Sequence, residues 1–177
     1  MQNFPYLEQK NGGWVWNFPK SLNMATQVCD FWEIKSPEKI CIKDFTDVDL
    51  PVFYSYKDLR KFSDSLAFEL RNRGVGKGDR VGVLLSQEIG CAASHIAIWK
   101  LGAISIPLFK LFGPEALATR LNDANAKYTI TDDEGSENLL PPEFDRLIFN
   151  NIVLKNDAFQ TCVTSPESPA VLILSLI

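Results

Sequence analysis

The sequence contains a single histidine, no closely spaced cysteines and no long apolar run, and each of these shortages excludes a class of protein. Cys29, Cys41, Cys91 and Cys162 form no CxxC pair, so we expect separate reduced thiols instead of a zinc site or a disulfide framework. No stretch approaches the roughly 20 apolar residues that a membrane-spanning helix needs. Residues 1–20 lack the basic start and apolar core of a signal peptide, so we expect a cytoplasmic location.

The sequence also lacks an excess of basic residues. Its formal net charge is -4 and its pI is about 5.1, so no basic stripe is available to neutralise the phosphates of a nucleic acid. A hydrophobic content of 46% with 23% charged residues is typical of a soluble globular chain. With 177 residues the chain is long enough to bury one sizeable core.

Residues 1–50 show no clear period and are interpreted as an irregular arm that is rich in aromatic residues. Two interpretations of these aromatics are open: anchors that pack on the surface of something larger, or a cage that binds a ligand. Anchors are the commoner of the two, so we expect packing. The aromatics concerned are Trp14, Trp16, Phe18, Phe31 and Trp32.

Residues 51–177 are interpreted as one α/β subdomain, and its first helix is the clearest element. Ser55 and Asp58 have the spacing of an N-terminal capping box, and apolar residues then recur at helical spacing from Leu59 to Leu70. Gly74 supplies a helix stop, and a buried strand is predicted over 81–85.

The same helix–strand unit repeats along the chain. Helices are predicted over 87–101 and from Pro114 onwards, and each is followed by a short strand, at 103–106 and 128–131. Strands that alternate with helices require right-handed crossovers. The sequence therefore predicts an α/β fold with a parallel sheet and helices on both faces.

The last third of the chain is less regular. We interpret 132–168 as loop and edge structure with short strands over 147–149 and 152–154. The almost wholly apolar run 170–174 is predicted to be a buried strand.

Three motifs invite a functional interpretation, and a structural one is preferred for each. The glycine-rich run 74–78 leaves a helix and enters a strand, which is the reverse of a phosphate loop, so it is interpreted as a helix-stop turn. His95 has no assignable nucleophile as partner, so a packed helix residue is favoured over a general base. Asp132, Asp133 and Glu134 lack the spacing of a cation loop and are interpreted as a solvated turn, so no metal site is assigned.

Several segments, taken in order, resemble the N-terminal subdomain of the AMP-forming acyl-CoA synthetase and ligase family. They are YSYKDL at 54–59, GVGKGDRV at 74–81, HIAIWKLGAISIPL at 95–108, LFGPEAL at 111–117 and RL at 120–121. The segments around 111–121 look most like the acetyl-CoA or medium-chain acyl-CoA synthetase branch. The resemblance covers roughly 21–177, and the ordered succession is more specific than any single motif.

The resemblance implies an activity for the family. Its members activate a carboxylate with ATP and Mg to an acyl adenylate and then transfer the acyl group to coenzyme A. In the family a hydroxyl-rich phosphate loop follows a strand like 170–174, which implies that Ser175 is its first, cofactor-binding residue. No catalytic residue is assigned, and the resemblance implies that most of the catalytic machinery lies outside these residues, so that the chain by itself binds no cofactor tightly.

Two rival functions are kept open. One is a non-enzymatic interaction module from a truncated paralogue, which would bind a partner through the strand at 171–174. The other is a stand-alone nucleotide-binding domain, which the lack of a glycine-rich loop after a strand disfavours. An exposed strand edge and the aromatic arm predict self-association, so a homo-oligomer is one expectation. The length of acyl chain that the enzyme accepts is left open.

Overall fold

The computed structural model describes residues 4–174. In this part of the chain none of the helices has the length and apolarity that a bilayer crossing requires. The strands are β1 Tyr6–Lys10, β2 Gly13–Asn17, β3 Ile40–Asp44, β4 Val52–Ser55, β5 Arg80–Leu84, β6 Ile104–Pro107, β7 Tyr128–Thr131 and β8 Arg146–Ile148. The α-helices are α1 Phe31–Lys35, α2 Tyr56–Asn72, α3 Ile89–Lys100 and α4 Pro114–Asp123, and short helical turns cover Thr26–Asp30, Gly135–Leu139 and Phe149–Asn151.

The centre of the fold is a four-stranded sheet in the order β6-β5-β7-β8, and all neighbouring strands in it are parallel. The helix α3 connects β5 to β6, and α4 carries the chain from β6 back across β5 to β7. The predicted α/β fold with a parallel sheet is therefore confirmed.

The two faces of the sheet bury different side chains because successive residues of a strand point to opposite sides. On one face Val81 and Val83 pack with α2 and α3. On the other face Leu84 packs with α4 and with the turn that follows β7. Helices thus cover both faces, as the sequence predicts.

The start of α2 has the predicted capping box. The Ser55 side chain accepts a hydrogen bond from the backbone N–H of Asp58, and the Asp58 carboxylate accepts one from the backbone N–H of Ser55. Gly74 follows the helix with a φ of 80°, a conformation that glycine adopts without strain. The run 74–78 is therefore a helix-stop turn, as predicted, and it leads directly into β5.

The prediction that the first fifty residues are irregular is wrong. β1 and β2 form an antiparallel hairpin, the segment Thr26–Lys35 is helical, and β3 pairs antiparallel with β4. One of the predicted anchors does pack: the Trp32 ring stacks on the Tyr56 ring at the start of α2, with centroids 5.9 Å apart. Trp14, Trp16 and Phe18 are exposed among the described residues. The proposed boundary at residue 50 stays a prediction.

Two predictions for the last third of the chain also need correction. The segment 152–154 is not a strand, because the helical turn after β8 redirects the chain and leaves this segment without a pairing partner. The apolar run at 170–174 is not buried: it makes a single parallel bridge, from Val171 to Ser105, and Val171 and Ile173 are 39% and 78% exposed. The run lies beside β6 at the edge of the sheet. The side that carries Val171 and Ile173 is not covered by another layer among the described residues.

A buried ionic cluster connects the N-terminal part to the sheet layer. Lys100, at the end of α3, is fully buried, and its ammonium contacts the carboxylates of Asp30 and Asp64, the latter at 2.7 Å. Arg60 bonds to Asp64 at 3.3 Å, and the Thr161 hydroxyl donates to Asp30 at 2.6 Å. Segments distant in sequence are therefore joined through one cation.

Candidate functional site

The topology of the sheet singles out the carboxyl ends of β5 and β7. These strands are neighbours, but the connection after β5 runs through α3 on one face, and the turn after β7 packs on the other face with α4. A crevice opens where adjacent parallel strands send their connections to opposite faces, and ligands of open α/β sheets bind in such crevices. This switch point is therefore the candidate site.

A cavity of about 220 Å³ lies at this point, and the ends of three strands contribute to its walls. Ser86 follows β5, Asp132 follows β7, and Asn150 follows β8. The full lining is Leu85, Ser86, Glu88, Gly90, Cys91, Asp132, Phe149 and Asn150. Polar groups supply most of this lining, with Leu85 and Phe149 as its apolar part, so the cavity suits a small polar group better than a large apolar ligand.

One glycine fixes the shape of this crevice. Gly90 lies in the first turn of α3 and faces the ring of Phe149, and a Cβ at this position would come within 2.9 Å of the ring. The close approach of helix and ring therefore depends on the absence of a side chain.

An ion pair crosses the carboxyl end of β5. Lys110 follows β6, and its ammonium lies 2.6 Å from the Asp132 carboxylate and 2.7 Å from that of Glu134. Because β5 lies between β6 and β7, this pair spans the switch point. The predicted solvated turn at 132–134 is thus correct for the exposed Asp133, whereas Asp132 is partly buried and bonded.

The pairing shifts the pKa of each partner in the direction that keeps both partners charged. Burial alone lowers the pKa of Lys110, but the hydrogen bonds to Asp132 and Glu134 outweigh it and raise that pKa. Burial alone raises the pKa of Asp132, but the bonds from Lys110 and from the backbone N–H of Gly135 lower it overall. Asp132, which lines the crevice, is therefore held as a carboxylate with Lys110 as its counter-ion.

The other titratable groups near the crevice provide no nucleophile with its base. Burial raises the pKa of Cys91, so this side chain is a thiol, not a thiolate, at neutral pH. His95 does not line the crevice; it lies beside the Trp99 ring, and burial lowers its pKa. His95 is a packed helix residue, as predicted. The described residues can orient a polar ligand, but they do not form a catalytic constellation.

The remaining residues singled out in the sequence lie elsewhere. The turn at 74–78 precedes β5 and is therefore at the opposite end of the sheet from the crevice. Ser175 lies outside the described residues. Among residues 4–174 no group of three His, Cys, Asp or Glu side chains is placed to hold a metal ion.

Sequence reasoning missed Lys110, Ser86 and Asn150. The only available signal was position: each is the first polar residue, or nearly so, after the carboxyl end of a strand. That signal becomes useful only when the order of the strands is known.

In a comparison with protein families, residues 32–171 match a model described as AMP-binding enzyme. Among curated relatives, an acetyl-coenzyme A synthetase of Coprinopsis cinerea is 36% identical over 130 residues, which is 71% of this chain and 19% of the relative. Another, from Halorhodospira halophila, is 35% identical over 116 residues, which is 65% of this chain and 18% of that protein. The chain thus spans about a fifth of the length of these relatives.

Solved structures show the same fold at low sequence identity. An acyl-CoA synthetase of Brucella canis superposes with a TM-score of 0.72 and 20% identity, over 86% of this chain and 31% of that one. The N-terminal subdomain of NpsA from Klebsiella oxytoca superposes with a TM-score of 0.71 and 19% identity, over 86% of this chain and 38% of that one.

Proposed function

This chain belongs to the AMP-binding enzyme family, and we propose that it is the N-terminal part of an acyl-CoA synthetase that acts on acetate or on a short- or medium-chain fatty acid. The observation that carries this proposal is the match to relatives named acetyl-coenzyme A synthetase. A cytoplasmic location is proposed with it.

The proposed reaction has two steps. In the first, an oxygen of the carboxylate attacks the α-phosphorus of ATP, and pyrophosphate leaves with the electrons of the broken P–O bond. In the second, the thiol sulfur of coenzyme A attacks the acyl carbon and its proton is released, and AMP leaves with the electrons of the broken C–O bond. The first step concentrates negative charge on the oxygens around the α-phosphorus, so it requires preformed hydrogen-bond donors and cations around the phosphate.

The residues of this chain fit a supporting role in that reaction. Ser86 and Asp132 line the crevice and can bond a polar group there, and Lys110 holds the Asp132 carboxylate from outside the lining. The resemblance implies that most of the catalytic machinery, which acts with Mg, lies outside these residues, and we propose the same for the Mg site. Ser175 is proposed, from the resemblance, as the first residue of the phosphate loop. We therefore propose that the chain by itself is inactive.

A second candidate is a non-enzymatic interaction module, and one observation favours it. The run at 170–174 makes only one bridge to β6 and leaves Ile173 exposed, so it could pair with a strand of another protein.

A chimera distinguishes the two candidates. The segment of the Coprinopsis cinerea synthetase that aligns with this chain is replaced by the chain itself, and acetate-dependent exchange of labelled pyrophosphate into ATP is measured. We expect the chimera to exchange pyrophosphate well above a reaction without acetate, with the unmodified enzyme as the positive control. A chimera that folds, as judged by circular dichroism and cooperative melting, but shows no exchange would contradict the proposed function and favour the module.

A further inference from the structure

The hairpin of β1 and β2 receives little packing from the rest of the described chain. It lies before the family match, which begins at residue 32, and it packs on no other helix or strand to a substantial extent among the described residues. A two-stranded hairpin by itself is marginally stable in water, and a third strand or a covering layer is usually needed. We therefore expect another strand or surface to stabilise this hairpin.

The hairpin is also unusually apolar for an exposed element. Trp14 and Trp16 are 69% and 55% exposed. They lie on the same face because they are two residues apart in β2, and Leu7 lies opposite Trp16 on that face. Exposed aromatic clusters of this kind mark interaction sites.

The two free edges of the hairpin differ in a way that selects one of them. The β1 edge, YLEQK, carries Glu8 and Lys10, which form an ion pair at 3.1 Å. The β2 edge, GWVWN, has neither a charge nor a proline. Charges and prolines are the usual devices that prevent a strand edge from pairing, so β1 is protected and β2 is open.

The turn determines which backbone groups the open edge presents. Asn11 and Gly12 both have positive φ, 51° and 81°, which is the pattern of a two-residue type I′ turn. The pair that flanks such a turn is hydrogen-bonded, and bonded pairs alternate with non-bonded ones along the hairpin. Hence Trp14 and Trp16 direct their N–H and C=O groups away from β1, towards the open edge.

We propose that β2 is a dimerisation edge and pairs antiparallel with β2 of a second copy of this chain. With a two-fold axis through Val15, Trp14 of each copy lies opposite Trp16 of the other, and these two bonded pairs exchange four backbone hydrogen bonds. Val15 then lies opposite its own copy in a non-bonded pair. The product is a four-stranded sheet with the charged β1 strands at both outer edges, which stops further growth.

The exposed surface predicts a weak dimer. An aromatic side chain buries about 150–250 Å² when fully covered, so two half-exposed tryptophans with their neighbours supply a few hundred Å² per copy. Stable interfaces bury about 800 Å² per partner. The dimer should therefore form in a concentration-dependent manner and dissociate on dilution.

Sedimentation velocity of the 177-residue chain over a wide range of concentrations tests the proposal. We expect a monomer–dimer equilibrium that Val15→Lys abolishes, because the two lysines would face each other across the axis. Tyr6→Lys is the matched control: it adds the same charge on the same face of the hairpin, but on β1, and should leave the dimer intact. A chain that is monomeric at all concentrations, or a dimer that Val15→Lys leaves unchanged, would overturn the proposal.

Cysteine cross-linking tests the register. In the proposed dimer the Cβ atoms of the two Val15 residues are within reach of a disulfide, since directly opposite Cβ atoms lie about 4.5–5.5 Å apart. With a mild oxidant, Val15→Cys should give a covalent dimer that neither the unmodified chain nor Tyr6→Cys gives. Equal cross-linking by the two variants would refute the register, and failure of Val15→Cys to cross-link would refute the β2 edge as the interface.

Discussion

Replacing Lys100 by methionine should destabilise the fold more than a single substitution usually does. The side chain is fully buried, and its ammonium is the cation shared by Asp30 and Asp64. Methionine keeps most of the volume of the aliphatic stem but removes the charge. Two carboxylates would then remain close together in a buried site, with Arg60 as the nearest remaining cation, 3.3 Å from Asp64 and 4.0 Å from Asp30.

The expected magnitude follows from the burial of the cluster. Removal of one partner from a buried ion pair costs about 3–5 kcal/mol, because the other charge is left without compensation. For a chain of this size about 1 kcal/mol corresponds to 2–4 °C, so the melting temperature should fall by roughly 6–20 °C. Combining Lys100→Met with Asp64→Asn should recover part of the loss, since the second substitution removes one of the uncompensated charges.

Urea unfolding followed by tryptophan fluorescence measures these changes as free energies of unfolding. The two single variants and the double variant complete a double-mutant cycle, and the expected interaction energy is about 1–3 kcal/mol. A loss of less than about 1 kcal/mol for Lys100→Met would contradict a buried, uncompensated charge, because only an exposed pair contributes so little. A loss in the double variant that equals the sum of the two single losses would likewise show that the two residues do not interact.

Three further predictions concern packing, capping and thiol chemistry. Gly90→Ala should cost about 1–3 kcal/mol in urea unfolding, because the added methyl group meets the Phe149 ring. The control Gly76→Ala has open space around it and should cost less than about 1 kcal/mol. Equal costs would contradict the close approach of Gly90 to the ring. Ser55→Ala should cost about 1 kcal/mol at neutral pH. Hydrogen bonds from Ser55 lower the pKa of Asp58, so their contribution to stability is present above the unfolded pKa of about 3.9. This contribution is lost as the pH falls through the lower folded pKa. A cost of Ser55→Ala that does not change with pH would contradict it. Burial raises the pKa of Cys29 to about 12, so mass spectrometry after iodoacetamide treatment at neutral pH should find it unmodified until the chain unfolds, and rapid native labelling would count against its burial.

Local signals in the sequence predict the centre of the fold well. The capping pattern at Ser55, the helix stop at Gly74 and the alternation of helices with short apolar strands are each encoded within about one turn or one strand of chain. These features specify the parallel sheet before any contact between distant residues is known.

The elements that were predicted wrongly depend on competing or distant information. The turn signal Asn11-Gly12 is present in the sequence, but the aromatics around it are exposed on both strands and do not alternate cleanly with polar residues. The run at 170–174 is apolar enough for a central strand, and apolarity alone cannot tell a central strand from one at an uncovered edge. Only the order of the strands places it outside β6.

The candidate site could not be predicted because it is formed by strand order. Lys110 follows β6 and Asp132 follows β7. They meet only because these two strands lie on either side of β5 in the sheet, so that their carboxyl ends are close. The buried pair of Lys100 and Asp30 joins residues 70 positions apart. A lone lysine near the end of an apolar helix is the signal that such a partner exists, but it does not identify the partner.

We propose above that these residues are part of an enzyme that adenylates a carboxylate. The most direct measurement is acetate-dependent exchange of pyrophosphate into ATP by the product of this gene purified from its native cell, together with the intact mass of that product. We expect exchange that requires acetate, by a protein several times heavier than 19.9 kDa. A purified product that folds but shows no exchange with acetate or with short- and medium-chain fatty acids would contradict it.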